Sequence, residues 1–381
     1  MLQRLILALV PLVLLLPASP PFAAPMPTPA PPIVGAKSYL VIDSRTGAEL
    51  AALNPDSPLA PASLTKIMTT YVVFDALKQG QLSLDDEVTV SEKAWRTEGS
   101  RMFIEVGTRV SVQDLLIGMI VQSGNDASVA LAERVAGTEA VFAEMMNQHA
   151  AKLGMRSSLF KNATGLPAAG HTTTARDLAT LARALIEEFP EYYAWHSQKE
   201  FTYNNIRQDN RNSLLWRDDS VDGLKTGHTE DAGYCLVASA KRDDMRVVSV
   251  VLGTSSNKAR TDGSQALINY SFRFFETRLL FKAGEAVTTA RIWKSANENT
   301  DLGALEDLYV TVRRGAYEQL EPTMNIPAVL VAPVSAGQPL AELTVKLGDE
   351  ILVTAPLGAL ADNPAGSLWQ RTRDSVSLWF E

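Results

Sequence analysis

Hydrophobic and polar positions along this chain change rhythm several times, and each change predicts an element. Ser38 to Ile42 is an extended apolar run, Asp43-Ser44-Arg45-Thr46-Gly47 carries turn residues, and Glu49 to Leu53 resumes the extended pattern, which predicts a hairpin. From Ser63 to Leu77 the period lengthens. Ile67, Met68, Tyr71, Val72 and Ala76 recur three and four residues apart, and Gly80 follows, as expected of a helix and its terminator. Ser111 with Asp114 opens a helix that is apolar nearly all round, from Leu115 to Val121, and so is expected to be buried on every side. Ser123-Gly124-Asn125 interrupts it. A further helix is predicted from about Asp126 to Val135, stopped by Gly137, and two more near Glu139 to Leu153 and Thr174 to Phe189.

Extended structure returns at Gly233 to Ala240 and Met245 to Gly253, a second hairpin around Lys241 to Asp244. Helical periodicity is then expected from Gly263 to Phe281. Strands at both ends of a region of roughly 250 residues bracket a helical middle, so the simplest α+β packing joins both hairpins in one antiparallel sheet covered by helices. Beyond Gly284 short runs (Leu308 to Arg313, Ala328 to Ala332, Glu342 to Val345, Glu350 to Val353) alternate with Pro and Gly, and Leu347-Gly348-Asp349 reads as a turn. A small all-β domain is expected there. The last stretch, Leu368 to Glu381, puts Leu368, Trp369, Thr372, Val376, Trp379 and Phe380 on one helical face, with Gln370, Arg371, Asp374 and Ser377 opposite. Such a face suits a membrane interface. The competing reading is a helix docked on its own protein.

The N-terminus refines this division. One cation at Arg4, an apolar run from Leu5 to Leu16 and small residues ending at Ala23-Ala24 predict a secretory signal peptide, too short to span a bilayer comfortably. The expected organisation is a signal peptide over 1–24, a Pro-rich lead-in over 25–34, a main domain over 35–285, a β-rich domain over 286–365 and an amphipathic helix over 366–381. Formal net charge is −8, which argues against nucleic acid as a partner. The single cysteine, Cys235, excludes an internal disulfide and sits in an apolar run, as a small buried hydrophobe would. Four histidines (149, 171, 196 and 228) and one cysteine give no metal-ligand spacing, so neither metal nor cofactor is expected.

Three short motifs carry the chemistry: Ser63-Leu64-Thr65-Lys66, Ser123-Gly124-Asn125 and Lys225-Thr226-Gly227. A serine hydroxyl needs a base within hydrogen-bond reach. Ser63 and Lys66 lie one helical turn apart and face the same way. Lysine is a base only when neutral, and burial or a second cation, for which Lys225 is the candidate, lowers its pKa. A serine at a helix N-terminus also gains from the positive end of the helix dipole. The words themselves are common: Ser255-x-x-Lys258 fits the first, and Ser255 and Ser295 fit the second. Only one selection, however, runs in the order Ser-x-x-Lys, Ser-x-Asn, Lys-Thr-Gly.

With these motifs, and with Asn162-Ala163-Thr164-Gly165-Leu166, Thr174-Ala175-Arg176-Asp177-Leu178, Asp222 to Thr229, Ala232-Gly233-Tyr234 and Phe272 to Thr277, the chain resembles the penicillin-binding proteins. It is most similar to the low-molecular-mass D-alanyl-D-alanine carboxypeptidases of the DacA, peptidase S11-like family. The resemblance covers residues 35 to 285 strongly and rests on architecture beyond. It implies that Ser63 attacks the carbonyl between the last two D-alanines of a peptidoglycan stem peptide and Lys66 takes its proton. Ser123 would relay a proton to the leaving amine beside Lys225, and Asn125 would hold the substrate amide. Lys225, Thr226, Gly227, His228 and Arg260 would bind substrate, with Arg211 at the rim. The N–H of Ser63 and one from the strand after Lys225 would form the oxyanion hole. β-Lactams would acylate Ser63. The localisation implied is the periplasmic face of the inner membrane, held there by 366–381.

Some readings stay open at this level. His171 and His228 either order loops or, for His228, tune the lysine cluster. Ser100-Arg101-Met102-Phe103 is either an active-site segment or a solvated loop. A β-lactamase, a DD-endopeptidase acting on crosslinks and an inert peptidoglycan-binding scaffold are the alternative functions.

Overall fold

The computed structural model describes residues 29–379; the expected signal peptide and Phe380 lie outside them. The first hairpin forms as β1 (Ser38–Asp43) and β2 (Glu49–Leu53). Helices α1 (Thr65–Lys78), α2 (Val112–Val121), α3 (Asn125–Ala136), α4 (Glu139–Lys152) and α5 (Ala175–Glu188) follow. Ser111, Thr138 and Thr174 cap α2, α4 and α5, each accepting a hydrogen bond from the backbone N–H three residues on. A small hairpin, β3 (Glu200–Tyr203) with β4 (Ile206–Asp209), precedes the long strands β5 (Val221–Thr229), β6 (Gly233–Arg242) and β7 (Met245–Thr254). The main sheet is antiparallel in the order β2-β1-β7-β6-β5. Both predicted hairpins therefore do share one sheet.

Side chains alternate across a strand, and here both faces are covered, so the central strands are apolar throughout. Leu40, Ile42, Val237, Val248 and Val250 join the core formed by α1, α2, α3 and α5. Val41, Leu236, Ala238, Val247 and Val251 face Leu267 and Ile268 of α6 (Asn257–Phe274) on the other side. Cys235 packs in the first of these cores, as its setting predicted.

Helical periodicity past Gly263 overran the helix. α6 stops at Phe274, and Phe275–Phe281 is strand β8. The apolar spacing over 275–281 fits either period, and pairing with β11 (Leu308–Arg313) decides for strand. Between them the chain forms β9 (Ala286–Arg291) and β10 (Asn299–Ala304). It continues into β12 (Leu320–Asn325), β13 (Pro339–Leu347) and β14 (Glu350–Ala359). The second sheet is antiparallel in the order β9-β10-β14-β13-β12, around Leu302, Leu343 and Leu357. The run Ala328 to Ala332 is not a strand; its only pairing among the described residues is an isolated bridge from Val331 to Trp293, while Leu330 is buried in the core of this domain. The β8–β11 ribbon meets the β1–β2 turn through a buried polar cluster. Asp43 accepts from the Thr277 hydroxyl at 2.7 Å, and the Thr311 hydroxyl lies 2.6 Å from that of Thr46.

Helix α7 (Leu368–Ser377) closes the described chain, capped by a reciprocal Ser367–Gln370 box. Its polar side is the docked one: Asp374 is buried and accepts from the Lys294 N–H at 2.7 Å. Leu368, Trp369 and Trp379 stand 80, 78 and 87% exposed.

Candidate active site

Ser63 lies in a single 3-10 turn, Ala62–Leu64, that leads into α1, as its reading at a helix N-terminus requires. Two backbone segments press on this turn. A Cβ on Gly227 would meet the Pro61 carbonyl oxygen at 3.1 Å and the Ala62 Cβ at 3.3 Å, so β5 runs directly alongside. A Cβ on Gly165 would fall 1.8 Å from the Ala62 carbonyl oxygen, and Gly165 has φ +84°, so only glycine fits. Lys-Thr-Gly was expected just before a strand; it lies within edge strand β5, which places Lys225, Thr226 and Gly227 against the serine turn.

Lys66 is among the most deeply buried side chains of the protein. Its Nζ lies 2.6 Å from Asn125 Oδ1, 2.6 Å from the Thr164 carbonyl oxygen and 3.1 Å from Ser63 Oγ. Burial brings its pKa down to about 7; the Asp126 carboxylate opposes that fall and the Arg211 guanidinium adds to it. A neutral amine has two N–H donors and one lone pair. The amide oxygen and the carbonyl can only accept, so they take the two donors. The lone pair is left for the Ser63 hydroxyl, which then donates to Lys66. That arrangement lets the amine serve as a base toward the Ser63 hydroxyl.

Lys225 is also buried, and its pKa is driven well below the usual lysine value by burial first, then by Lys66, Arg211 and Arg260. Its Nζ donates to the Thr226 carbonyl at 3.2 Å. The expected repulsion between Lys225 and Lys66 is present, and the Arg211 guanidinium lowers both lysines as well. Ser123 has φ +66° and a buried hydroxyl with no hydrogen-bond partner among the described residues. Asn125 Nδ2 donates to the Glu98 carbonyl at 2.5 Å, which leaves one amide hydrogen for a ligand.

Of the remaining expected residues, Thr226 and Arg260 are buried and Arg211 and His228 exposed. Arg260 is locked by its backbone contacts, Nη1 donating to the Gly227 carbonyl at 3.0 Å and the Cys235 carbonyl at 3.2 Å. Arg211 is exposed, with Nε donating to the Gln122 carbonyl at 3.2 Å. His228 is exposed and lies over Tyr234, ring centroids 3.9 Å apart. His171 is buried against Thr65 Oγ1 at 3.0 Å, and burial lowers its pKa to about 4, so it is neutral across the physiological range and orders its loop. Ser100 to Phe103 is a wall of the site: the Ser100 carbonyl accepts from the Asn125 N–H at 2.7 Å, and Met102 is fully buried.

The decoy motifs lie elsewhere. Ser255 is exposed just before α6, whose cap is Ser256, and Lys258 is exposed; Ser295 Oγ lies 2.6 Å from the carbonyl oxygens of both Ile292 and Asn297 in the second domain. Sequence reasoning gave no role to Thr164, Gly165 or Asp126. Thr164 acts through its carbonyl, which any residue type supplies, so no side-chain pattern marks it.

Comparison with known proteins agrees with this geometry. The family model described as D-alanyl-D-alanine carboxypeptidase (peptidase S11) matches residues 26–256, and that of the penicillin-binding protein 5 C-terminal domain matches 275–364. The chain is 43% identical to the D-alanyl-D-alanine carboxypeptidase DacC of Escherichia coli over 357 residues, covering 92% of this chain and 89% of that one. It is 40% identical to DacA of Haemophilus influenzae, covering 89% of each. The crystal structure of penicillin-binding protein 5 from Haemophilus influenzae superposes with a TM-score of 0.84 at 40% identity, over 88% of this chain and 99% of that one. The chain therefore belongs to the peptidase S11 family of serine-type D-alanyl-D-alanine carboxypeptidases, with the penicillin-binding catalytic domain and the C-terminal β domain of that family both present.

Proposed function

We propose that this protein removes the terminal D-alanine from peptidoglycan stem pentapeptides through an acyl-enzyme on Ser63. The observation that carries the reading is the Lys66 amine, buried, with a pKa near neutrality and with its lone pair left for Ser63 Oγ by two acceptor-only neighbours. Ser63 Oγ bonds to the penultimate D-alanine carbonyl carbon as its proton passes to Lys66. The C–N bond breaks, and the leaving amine takes a proton through Ser123, beside Lys225. Water then adds to the ester carbonyl carbon, the bond between that carbon and Ser63 Oγ breaks, and the serine regains its proton. The Ser63 N–H and one from β5 stabilise the oxyanion in each half-reaction, a donor of this kind contributing about 10²–10³-fold. Lys225, Thr226 and Arg260 hold the substrate carboxylate, with Arg211 and His228 at the mouth.

Intact-mass measurement after incubation with a β-lactam tests the acyl-enzyme. A stoichiometric adduct is expected on the wild type and none on Ser63→Ala. An unmodified wild type would refute it. Release of D-alanine from a pentapeptide, compared with hydrolysis of a crosslinked dimer and of the β-lactam itself, separates a carboxypeptidase from an endopeptidase or a β-lactamase.

The membrane surface enters the same reading. The polar side of α7 is fixed to the β domain while its Leu and Trp side faces solvent, the reverse of a helix docked on its own protein. Among the described residues no helix is long and apolar enough to cross a bilayer. Interfacial insertion on the periplasmic face, after export by the N-terminal signal, fits both facts. Deleting 366–381 is expected to move the protein from the membrane fraction to the soluble fraction with its activity on a free pentapeptide unchanged. Continued sedimentation with membranes would overturn the anchor.

A further inference from the structure

Directly after Ser-x-Asn stands Asp126, a carboxylate fully withdrawn from solvent with no cationic partner at hydrogen-bonding distance among the described residues. Four backbone N–H groups surround it. Oδ1 accepts from Met102 at 3.0 Å and Ala127 at 2.9 Å; Oδ2 accepts from Phe103 at 3.0 Å and Ile104 at 3.3 Å. A buried carboxylate is tolerable only with such saturation, to which the N-terminus of α3 adds its dipole. Three of the donors belong to a different segment, the wall of the active site, which also supplies the Glu98 and Ser100 carbonyls that hold Asn125.

Two non-glycine residues flank this node in the left-handed conformation, Phe103 at φ +70° and Ser123 at φ +66°. Backbone strain of that kind persists only where surrounding contacts over-determine it. Gly124 completes the arrangement. A Cβ there would meet Asp126 Oδ1 at 2.9 Å and the Met102 nitrogen at 3.2 Å, so the middle residue of Ser-Gly-Asn leaves room for the carboxylate to reach the wall.

We propose that Asp126 is a positioning residue for the acylation step: it ties segment 102–104 to the start of α3, so that Ser123 and Asn125 are held around Lys66, and it sets a fixed negative charge in the cluster that contains the base. The proposal rests on the reading of Lys66 as the base for Ser63. The charged groups that surround this base are Asp126 on α3, Arg211 ahead of β5 and Lys225 on β5. Asp126 is the one that favours the ammonium form, and Arg211 opposes it. Removing the carboxylate therefore frees the amine at lower pH.

Two substitutions separate the two parts. Asp126→Asn keeps the shape but turns an N–H toward two N–H donors, and it deletes the charge. We expect the plateau rate of β-lactam acylation to fall at least tenfold, and its acid limb to move to lower pH by on the order of half a unit or more. Gly124→Ala displaces the same carboxylate with its charge intact. The plateau is expected to fall while the acid limb stays in place. Rates are normalised to the acylable fraction from active-site titration, so that loss of folded protein does not count. Should Asp126→Asn fail to fold, Asp126→Glu replaces it, with the acid limb expected at its wild-type pH and the plateau reduced. Wild-type plateau rates in Asp126→Asn and Gly124→Ala would overturn the positioning role, and an unmoved acid limb in Asp126→Asn would overturn the charge role. A wild type that forms no adduct would instead refute the Ser63–Lys66 reading on which both depend.

Discussion

Lys66→Met is expected to lower the acylation rate by roughly 10²–10⁴-fold, the range of a lost general base, while the protein stays folded. The two effects separate because the site is costly to build. A lysine buried at this depth with a pKa brought to about 7 is destabilising while it remains protonated. The sign follows from the depressed value. Between about pH 7 and the unfolded lysine pKa the unfolded chain binds the extra proton, so stability rises with pH across that window, and below it the full penalty applies. Methionine removes the penalty and keeps the volume, but it orphans the Asn125 and Thr164 acceptors, at about 1–3 kcal/mol each. These terms oppose one another, so Tm is expected to move by only a few degrees. In the wild type the same pKa makes acylation fall about tenfold per pH unit below 7 and level off above it. Stopped-flow acylation by a chromogenic β-lactam, with thermal melts alongside, measures all of this. A pH-independent wild-type rate from pH 5 to 8 would remove Lys66 from the role of base.

Gly165→Ala is expected to damage both stability and rate, without touching a reacting atom. The new methyl would overlap the Ala62 carbonyl oxygen at 1.8 Å and crowd the Ser63 nitrogen at 3.0 Å. The φ of +84° adds about 1–2 kcal/mol for a non-glycine residue, and forced movement of packed backbone about 1–3 kcal/mol more. Gly165 follows Thr164, so any relief moves the carbonyl that holds Lys66 as well as the turn that holds Ser63. A displacement near 1 Å costs about 10²-fold in rate. Reduced Tm together with at least that loss is expected; wild-type acylation would mean that the contact between this loop and the serine turn is not required.

How much of this was legible beforehand depended on the range of the signal. Helix starts at Ser111 and Thr174 were readable because a cap hydrogen bond spans three residues. Gly137 and Gly80, both at positive φ, ended helices as expected. Phe275–Phe281 was misread, since its apolar spacing fits two periods and only pairing with β11 decides between them. Ser63 and Lys66 were legible because one helical turn joins them. Asp126 and Gly165 were not, because their partners, Met102 to Ile104 and Ala62, lie more than twenty residues away in sequence.

By itself the sequence determined the candidate nucleophile, the ordered motifs, the shared sheet and the division into a larger α+β domain and a smaller β domain. Each of these follows from residue type and local period. Only the tertiary structure decided which groups set the protonation of the site. Burial of Lys66 and Lys225, the approach of Arg211 and the loss of solvent around Asp126 arise when distant segments close on one another, and desolvation exists only once they have. The same closure turned one amide oxygen and one carbonyl into the acceptors that leave the Lys66 lone pair for Ser63.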